Sequence, residues 1–449
     1  MFKHIDDYIT QVKTNQTTSR TAVAHYLGQI ETHKNLRAVM DLNPYASDDA
    51  QNIDNRQTKP PLHGLPILIK DNINTADTTI TSAGSVALAN NQATTDAPLV
   101  ANLRKAGVVV LGKTNMTEFA NYMVDYRDYQ GMPNGYSSRG GQCVHPAELN
   151  LGHYVNPSGS STGSAVAVAT GQALAAIGTE TYGSIISPSQ RLGIVGLKPT
   201  ADSVEMKGVI PISNTLDIAG PMTSCVADAA HILGAMQDKT YTVNPTAAVN
   251  LGVYPTDTTS ENDYDNSVVA TNARLLSQLI TAGATRSETV LSKIDEGMVF
   301  AIMRYEFRAS LNAYLSDYAD EGVPADLSAI IAYNKAHPDT ALKYGQNNLE
   351  ASNHVGASGT EHPDYIQAIH QQETAKIALR DYFINNSIDI LFMADANCGL
   401  AAVTGFPSIT VPLGVNEQGL PVGCCLVANR GQEQLLLNVA AAVEALCGV

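Results

Sequence analysis

Short apolar runs alternate with helix-like segments along this chain, and that alternation limits the available folds more than any other feature. LPILIK (65–70) and VVVL (108–111) are too short for helices and suit strands buried in a sheet. Between and after them, helix-like sequence runs near 98–106 and begins again at Asn115. SAVAVATGQALAAI (164–177) reads as a helix of small residues that can pack closely on a sheet, and another helix is expected near 227–236. GIVGLKP, ILFM, SITVPLGV and PVGCCLV continue the strand-like series, and QEQLLLNVAAAVEAL closes the chain as a helix. The pattern predicts an α/β fold, a single large domain with a mixed, mostly parallel twisted sheet flanked by helices on both faces.

Within that domain, residues 1–60 are expected to form N-terminal helices, with Ser19 or Thr21 as an N-cap near the second. Residues 61–239 and 387–449 carry the core character. The polar, helix-rich stretch 240–386 reads as a variable insert between them. Of the 449 residues 44% are hydrophobic and only 16% charged, so disorder is not expected. A net charge of −16 with no basic run sets aside nucleic acid and polybasic membrane docking. No uncharged apolar stretch is long enough to span a bilayer, and the start of the chain has no apolar leader, so it reads as mature and cytoplasmic. The six cysteines form no CxxC pair and predict neither a zinc site nor a disulfide framework.

Several motifs point to chemistry. GVVVLGKT (107–114) fits the P-loop pattern by letter, but its apolar middle belongs in a strand and not in a phosphate-binding loop. GSSTG (159–163) fits a nucleophile elbow, yet no β run precedes it. His231, His337, His354, His362 and His370 read as surface or cap residues, and no helical i, i+4 metal pair is formed, so no metal is expected. Lys70 stands out because it ends an apolar run, where burial would favour the neutral amine. By spacing alone it is equally a proton acceptor or an edge lysine paired with Asp71. The long Gly/Ser/Pro-rich stretch 131–163 must be mostly loop, and loops of that length usually carry function. Ser160, Ser161 and Ser184 lie in turns on either side of the small-residue helix. Each alone reads first as a cap or turn hydroxyl.

Taken together, GLPILIKDNI (64–73), AGVVVLGKTNMTEFA (106–120), PSGSSTGSAVAVATG (157–171), GTETYGSIISPS (178–189), GIVGLKPT (193–200) and LDIAGPMT (216–223) resemble the amidase signature family. TGFPSITVPLG and GLPVG are similar to its closing core strands, so the likeness covers most of the chain outside 240–386. The resemblance implies a cofactor-free amide hydrolase with a Ser-cisSer-Lys triad. Ser184 would be the nucleophile, Ser160 the bridging serine with a cis peptide, and Lys70 the base. Backbone N–H groups of Thr181, Tyr182, Gly183 and Ser184 would form the oxyanion hole. GYSSRGGQCVHPAE resembles the branch containing bacterial peptide amidases, which implies substrate contacts from Ser161, Arg139 and Tyr182. For Arg139, a structural ion pair is the competing reading.

The chain departs from the family pattern at informative places. GGSSGGS becomes Gly-Ser-Ser with Ser158 and Thr162 replacing glycines, and DTGGSIR becomes ETYGSII with Glu180, Tyr182 and Ile186. The expected substrate is a small amide or a C-terminal peptide amide, with room for a homodimer. The alternatives are an amidase-like glutaminase subunit of a tRNA amidotransferase, against which the loss of arginine at Ile186 speaks, and a catalytically impaired relative.

Overall fold

The computed structural model describes residues 2–125, 131–254, 263–356 and 359–448. Its strands in chain order are β1 (Val39–Leu42), β2 (Pro66–Lys70), β3 (Val109–Thr114), β4 (Tyr136–Ser137), β5 (Gly141–Gln142), β6 (Ala175–Glu180), β7 (Val195–Lys198), β8 (Ile218–Thr223), β9 (Asn250–Tyr254), β10 (Thr285–Arg286), β11 (Ile390–Met393), β12 (Ser408–Val415) and β13 (Pro421–Ala428). Apart from the β4–β5 ribbon they build one 11-stranded sheet in the order β1-β3-β2-β6-β8-β7-β12-β13-β11-β9-β10.

The mixed sheet and single domain match the expectation, but the balance of pairings differs from it. Parallel pairs join β3, β2 and β6 at one end and β11, β9 and β10 at the other. The other six neighbouring pairs are antiparallel. Two physical causes are visible. β12 and β13 form a tight hairpin closed by the Gly419 N–H on the Asn416 carbonyl, and β8 returns beside β6 against its direction.

Helices cover both faces, and alternate residues of one strand report it. Cys424, Leu426 and Ala428 of β13 pack with Leu436 and Leu437 of helix Glu433–Cys447 and with Val226. Cys425 and Val427 point the other way, into a cluster with Ile186, Leu379 and Phe383. β2, β3 and β6 are buried at every position, so none of them shows the alternation of a half-exposed strand.

Three local expectations need correction. The second N-terminal helix, Ser19–Thr32, is capped by Thr18, whose hydroxyl accepts the Thr21 N–H, and not by Ser19 or Thr21. The helix of small residues is only Thr162–Ala169. Gly171 ends it in the left-handed region (φ 69°), and Ala175–Glu180, which carries on the same small apolar composition, is a central strand. The stretch 240–386 is mainly helical, yet it also supplies β9 and β10 to the edge of the sheet. Among the described residues no helix is long and apolar enough to cross a membrane.

Candidate active site

The parallel pairing of β2 with β6 brings the carboxyl ends of two strands together, the place where open α/β sheets bind ligands. Lys70 is the last residue of β2, and Thr179 and Glu180 end β6. Lys70 is fully buried. Its Nζ lies 2.8 Å from Ser160 Oγ, 2.8 Å from Ser161 Oγ, 2.9 Å from Thr179 Oγ1 and 3.1 Å from the Thr179 carbonyl. Three of these four partners are hydroxyls, which donate as well as accept, so the surroundings suit an amine with a lone pair. Burial pushes the Lys70 pKa down to about 7, with Asp217 and Glu180 opposing that shift.

The serine turn reaches the lysine from the start of helix Thr162–Ala169. Its Gly159–Ser160 peptide bond is cis, and the Ser160 carbonyl accepts the Thr117 N–H at 3.1 Å. The Ser160 hydroxyl is fully buried with Lys70 as its partner. The Ser161 N–H donates to the Ser184 carbonyl at 3.2 Å, joining the two serine turns. Among the described residues Ser184 Oγ makes no hydrogen bond, so the expected link from Ser160 to Ser184 is not closed here.

The Ser184 turn is held from below. Glu180 Oε2 accepts the N–H groups of Ile185 at 2.8 Å and Ile186 at 3.0 Å, a carboxylate on the N-terminus of helix Ile186–Leu192. Gly183 adopts φ 87°, a conformation that a side chain would strain. Among the described residues neither the Gly183 nor the Ser184 N–H donates to a protein acceptor, leaving two adjacent donors beside the Ser184 hydroxyl. Thr181 Oγ1 donates to Asp217 Oδ1 at 2.5 Å. Asp217 also accepts the Ile212 and Ser213 N–H groups, and burial pushes its pKa up to about 6.

This turn opens on a cavity of about 520 Å³, where Ser184, Tyr182 and Gly159 face Tyr122, Phe300 and Met303. Phe300 and Met303 come from helix Met298–Tyr318, so the insert builds part of the wall. Glu306 of the same helix fastens the insert to the core by accepting from Ser213, Thr215 and Tyr365.

The family model described as Amidase matches residues 21–399. The chain belongs to the amidase family. A probable amidase of Arabidopsis thaliana is 31% identical over 98% of this chain and 89% of its own length. The solved peptide amidase of Stenotrophomonas maltophilia superposes with a TM-score of 0.87 at 32% identity, covering 100% of this chain and 97% of that one. A glutamyl-tRNA(Gln) amidotransferase subunit of Prochlorococcus marinus is 28% identical over 97% of this chain and 96% of its own. Membership makes the protein an amide hydrolase.

Two expected substrate contacts lie elsewhere in this amidase. Ser161 is fully buried behind the serine turn, with its hydroxyl bonded to Lys70 and Thr179, so it positions the lysine and does not face the cavity. Arg139 is spent on carboxylates, with Asp41 at 2.5 Å and fully buried Asp71 at 3.4 Å. Its substitution should therefore act on stability. Arg139→Ala removes the larger of the two cationic influences on buried Asp71 and leaves only that of Lys113, so it should cost about 3 kcal/mol, read as a lowered Tm, with KM nearly unchanged. A raised KM at unchanged Tm would restore the substrate role.

Residues that sequence reasoning passed over complete the site of this amidase. Thr179 receives Lys70 and also accepts from Asn72 Nδ2 at 3.1 Å. Asp217 and Glu180 are the buried carboxylates nearest the lysine in effect. Lys113 of the P-loop-like motif lies in β3, fully buried, and donates to the Ile73 carbonyl and to Thr81. His4, Cys225 and Asp228 bring three potential ligand atoms within 4.8 Å of one another. Two helix N-termini converge there and Asp228 accepts the Ile5 N–H, an environment that favours an anion over a cation.

Proposed function

We propose that the protein hydrolyses a small amide or a C-terminal peptide amide by a Ser-cisSer-Lys mechanism. The observation that carries this reading is the 2.8 Å contact of fully buried Lys70 with Ser160, beside the Ser184 turn that opens on the cavity. Neutral Lys70 takes a proton through Ser160, and the Ser184 oxygen attacks the amide carbonyl. The unused Gly183 and Ser184 N–H groups, with the amides of Thr181 and Tyr182 beside them, receive the oxyanion. Each such donor is worth about 3 kcal/mol in comparable sites. Ser160 returns the proton to the departing amine, and water then cleaves the acyl-enzyme. The link from Ser160 to Ser184 closes with substrate in place, as catalytic hydrogen bonds commonly tighten in the Michaelis complex. The chemistry needs no metal or organic cofactor.

The test is ammonia release from small primary amides and peptide amides, with kcat/KM followed against pH. Because the base must be uncharged, activity should be low below pH 7 and rise through a midpoint of about 7 to a plateau. A profile flat from pH 5 to 9, or a protein inert to the whole panel, would overturn the reading. Six free cysteines, five of them buried, support a reducing compartment and so a cytoplasmic enzyme.

A second reading, the ammonia-releasing subunit of a tRNA amidotransferase, draws support from the full-length similarity to the Prochlorococcus marinus chain. Ile186 opposes it. The residue standing where the family pattern has arginine is fully buried among apolar side chains, so no charge is offered there. Stimulation of glutaminase activity by a co-purifying subunit would favour this second reading.

A further inference from the structure

Tyr182 stands in the nucleophile turn where the family pattern has glycine, and its side chain is tied down at both ends. Its hydroxyl donates to Glu296 Oε2 at 2.5 Å, in the segment just before helix Met298–Tyr318. Its ring meets Phe300 of that helix edge-on, with centroids 6.0 Å apart and planes at 67°. A third segment makes room for this clamp. A Cβ at Gly399 would lie 1.9 Å from Glu296 Oε2 and 2.9 Å from the Tyr182 hydroxyl, so no other residue fits there without displacing the pair. The nucleophile turn, the insert and the C-terminal segment are thus built around one hydrogen bond.

Glu296 and Phe300 oppose any swing of the tyrosine ring out of the cavity. Tyr182 and Phe300 line the same cavity as Ser184, and Tyr182 is only two residues from that nucleophile. We infer that Tyr182, clamped by Glu296 in the space left by Gly399, is the specificity-determining wall of this cavity and restricts it to amides that are slim next to the reacting carbonyl. Simple aliphatic amides and peptide amides ending in glycinamide fit this description. An α-carbon carrying a benzyl or isobutyl group would have to share space with the ring. The inference rests on the amide-hydrolase reading and names the substrate class within it.

The experiment compares kcat/KM for two acetylated dipeptide amides, one ending in glycinamide and one in phenylalaninamide. The wild-type enzyme should favour the first. Tyr182→Gly should move the ratio toward the bulky amide by about tenfold or more, the discrimination that apolar pocket size supplies. Glu296→Ala leaves the turn's own residues intact and frees the ring, so it should move the ratio the same way by less. It also serves if the glycine variant does not fold. An active enzyme whose ratio is unmoved in both variants, or a wild type that prefers the phenylalaninamide, overturns this inference and leaves the hydrolase reading standing. A wild type inert to both of these and to simple aliphatic amides sinks the two together.

Discussion

Ser184→Ala should lower kcat/KM on any amide substrate at least about a thousandfold, a loss of roughly 4 kcal/mol in transition-state stabilisation. The expectation comes from the position of that hydroxyl. It sits at the end of a turn fixed by Glu180 from below, beside two N–H donors with no acceptor among the described residues, on the wall of the cavity. The fold should be indifferent to the change, since among the described residues Ser184 Oγ makes no hydrogen bond and its carbonyl still accepts from Ser161. Circular dichroism and Tm should match the wild type. Intact mass should also report the difference, because a slowly hydrolysed ester should leave an acyl adduct on the wild-type enzyme and none on the variant. Residual activity above about a thousandth would mean that another group attacks the carbonyl, since the oxyanion donors and substrate binding remain.

The parts of the site that could be read from the sequence are those that break a local rule. Lys70 is conspicuous because a charge ends an apolar run, and that conflict is resolved by burial against three hydroxyls. Thr179, Asn72 and Asp217 break no such rule. They matter only because two parallel strands end side by side and the loop Ile212–Asp217 folds over them, which local pattern does not report. Arg139 fails for the same reason, since its partners Asp41 and Asp71 are 98 and 68 residues away in the chain. Ser160 and Ser161 are neighbours with the same side chain and both touch Lys70, so no pattern of letters assigns Ser161 to the lysine instead of the substrate.

The fold was legible to a similar depth. Strands buried on both faces, such as β2 and β3, have an unbroken apolar signature that short length separates from helix. β6 escaped because its alanines follow a helix of like composition, and only the left-handed Gly171 marks the change. β9 and β10 escaped because they lie in a polar region: β9 gains its strand character from β11, more than a hundred residues later, and β10 pairs only with β9.

Lys70→Ala should depress turnover of amides more than that of matched esters. An alkoxide leaves with little help, whereas an amine must be protonated as the carbon–nitrogen bond breaks, and in the proposed mechanism Lys70, in contact with Ser160, supplies both proton transfers through it. Loss of the base should cost both substrates about a hundredfold or more, and loss of the returning acid should cost the amide about a further tenfold. Equal losses would remove the lysine from the second transfer. A separate measurement reads the amine without any substrate. The native Lys70 pKa is about 7, while the unfolded chain holds that proton to about 10.4, so the unfolded state binds more protons between those values. Wild-type stability should therefore fall relative to a Lys70→Met variant as the pH drops from about 10 to about 7, and the difference should level off below 7. Urea unfolding of the two proteins across that range checks it. A stability difference independent of pH would mean that Lys70 keeps its proton in the native state, and an amine that stays charged cannot begin the relay.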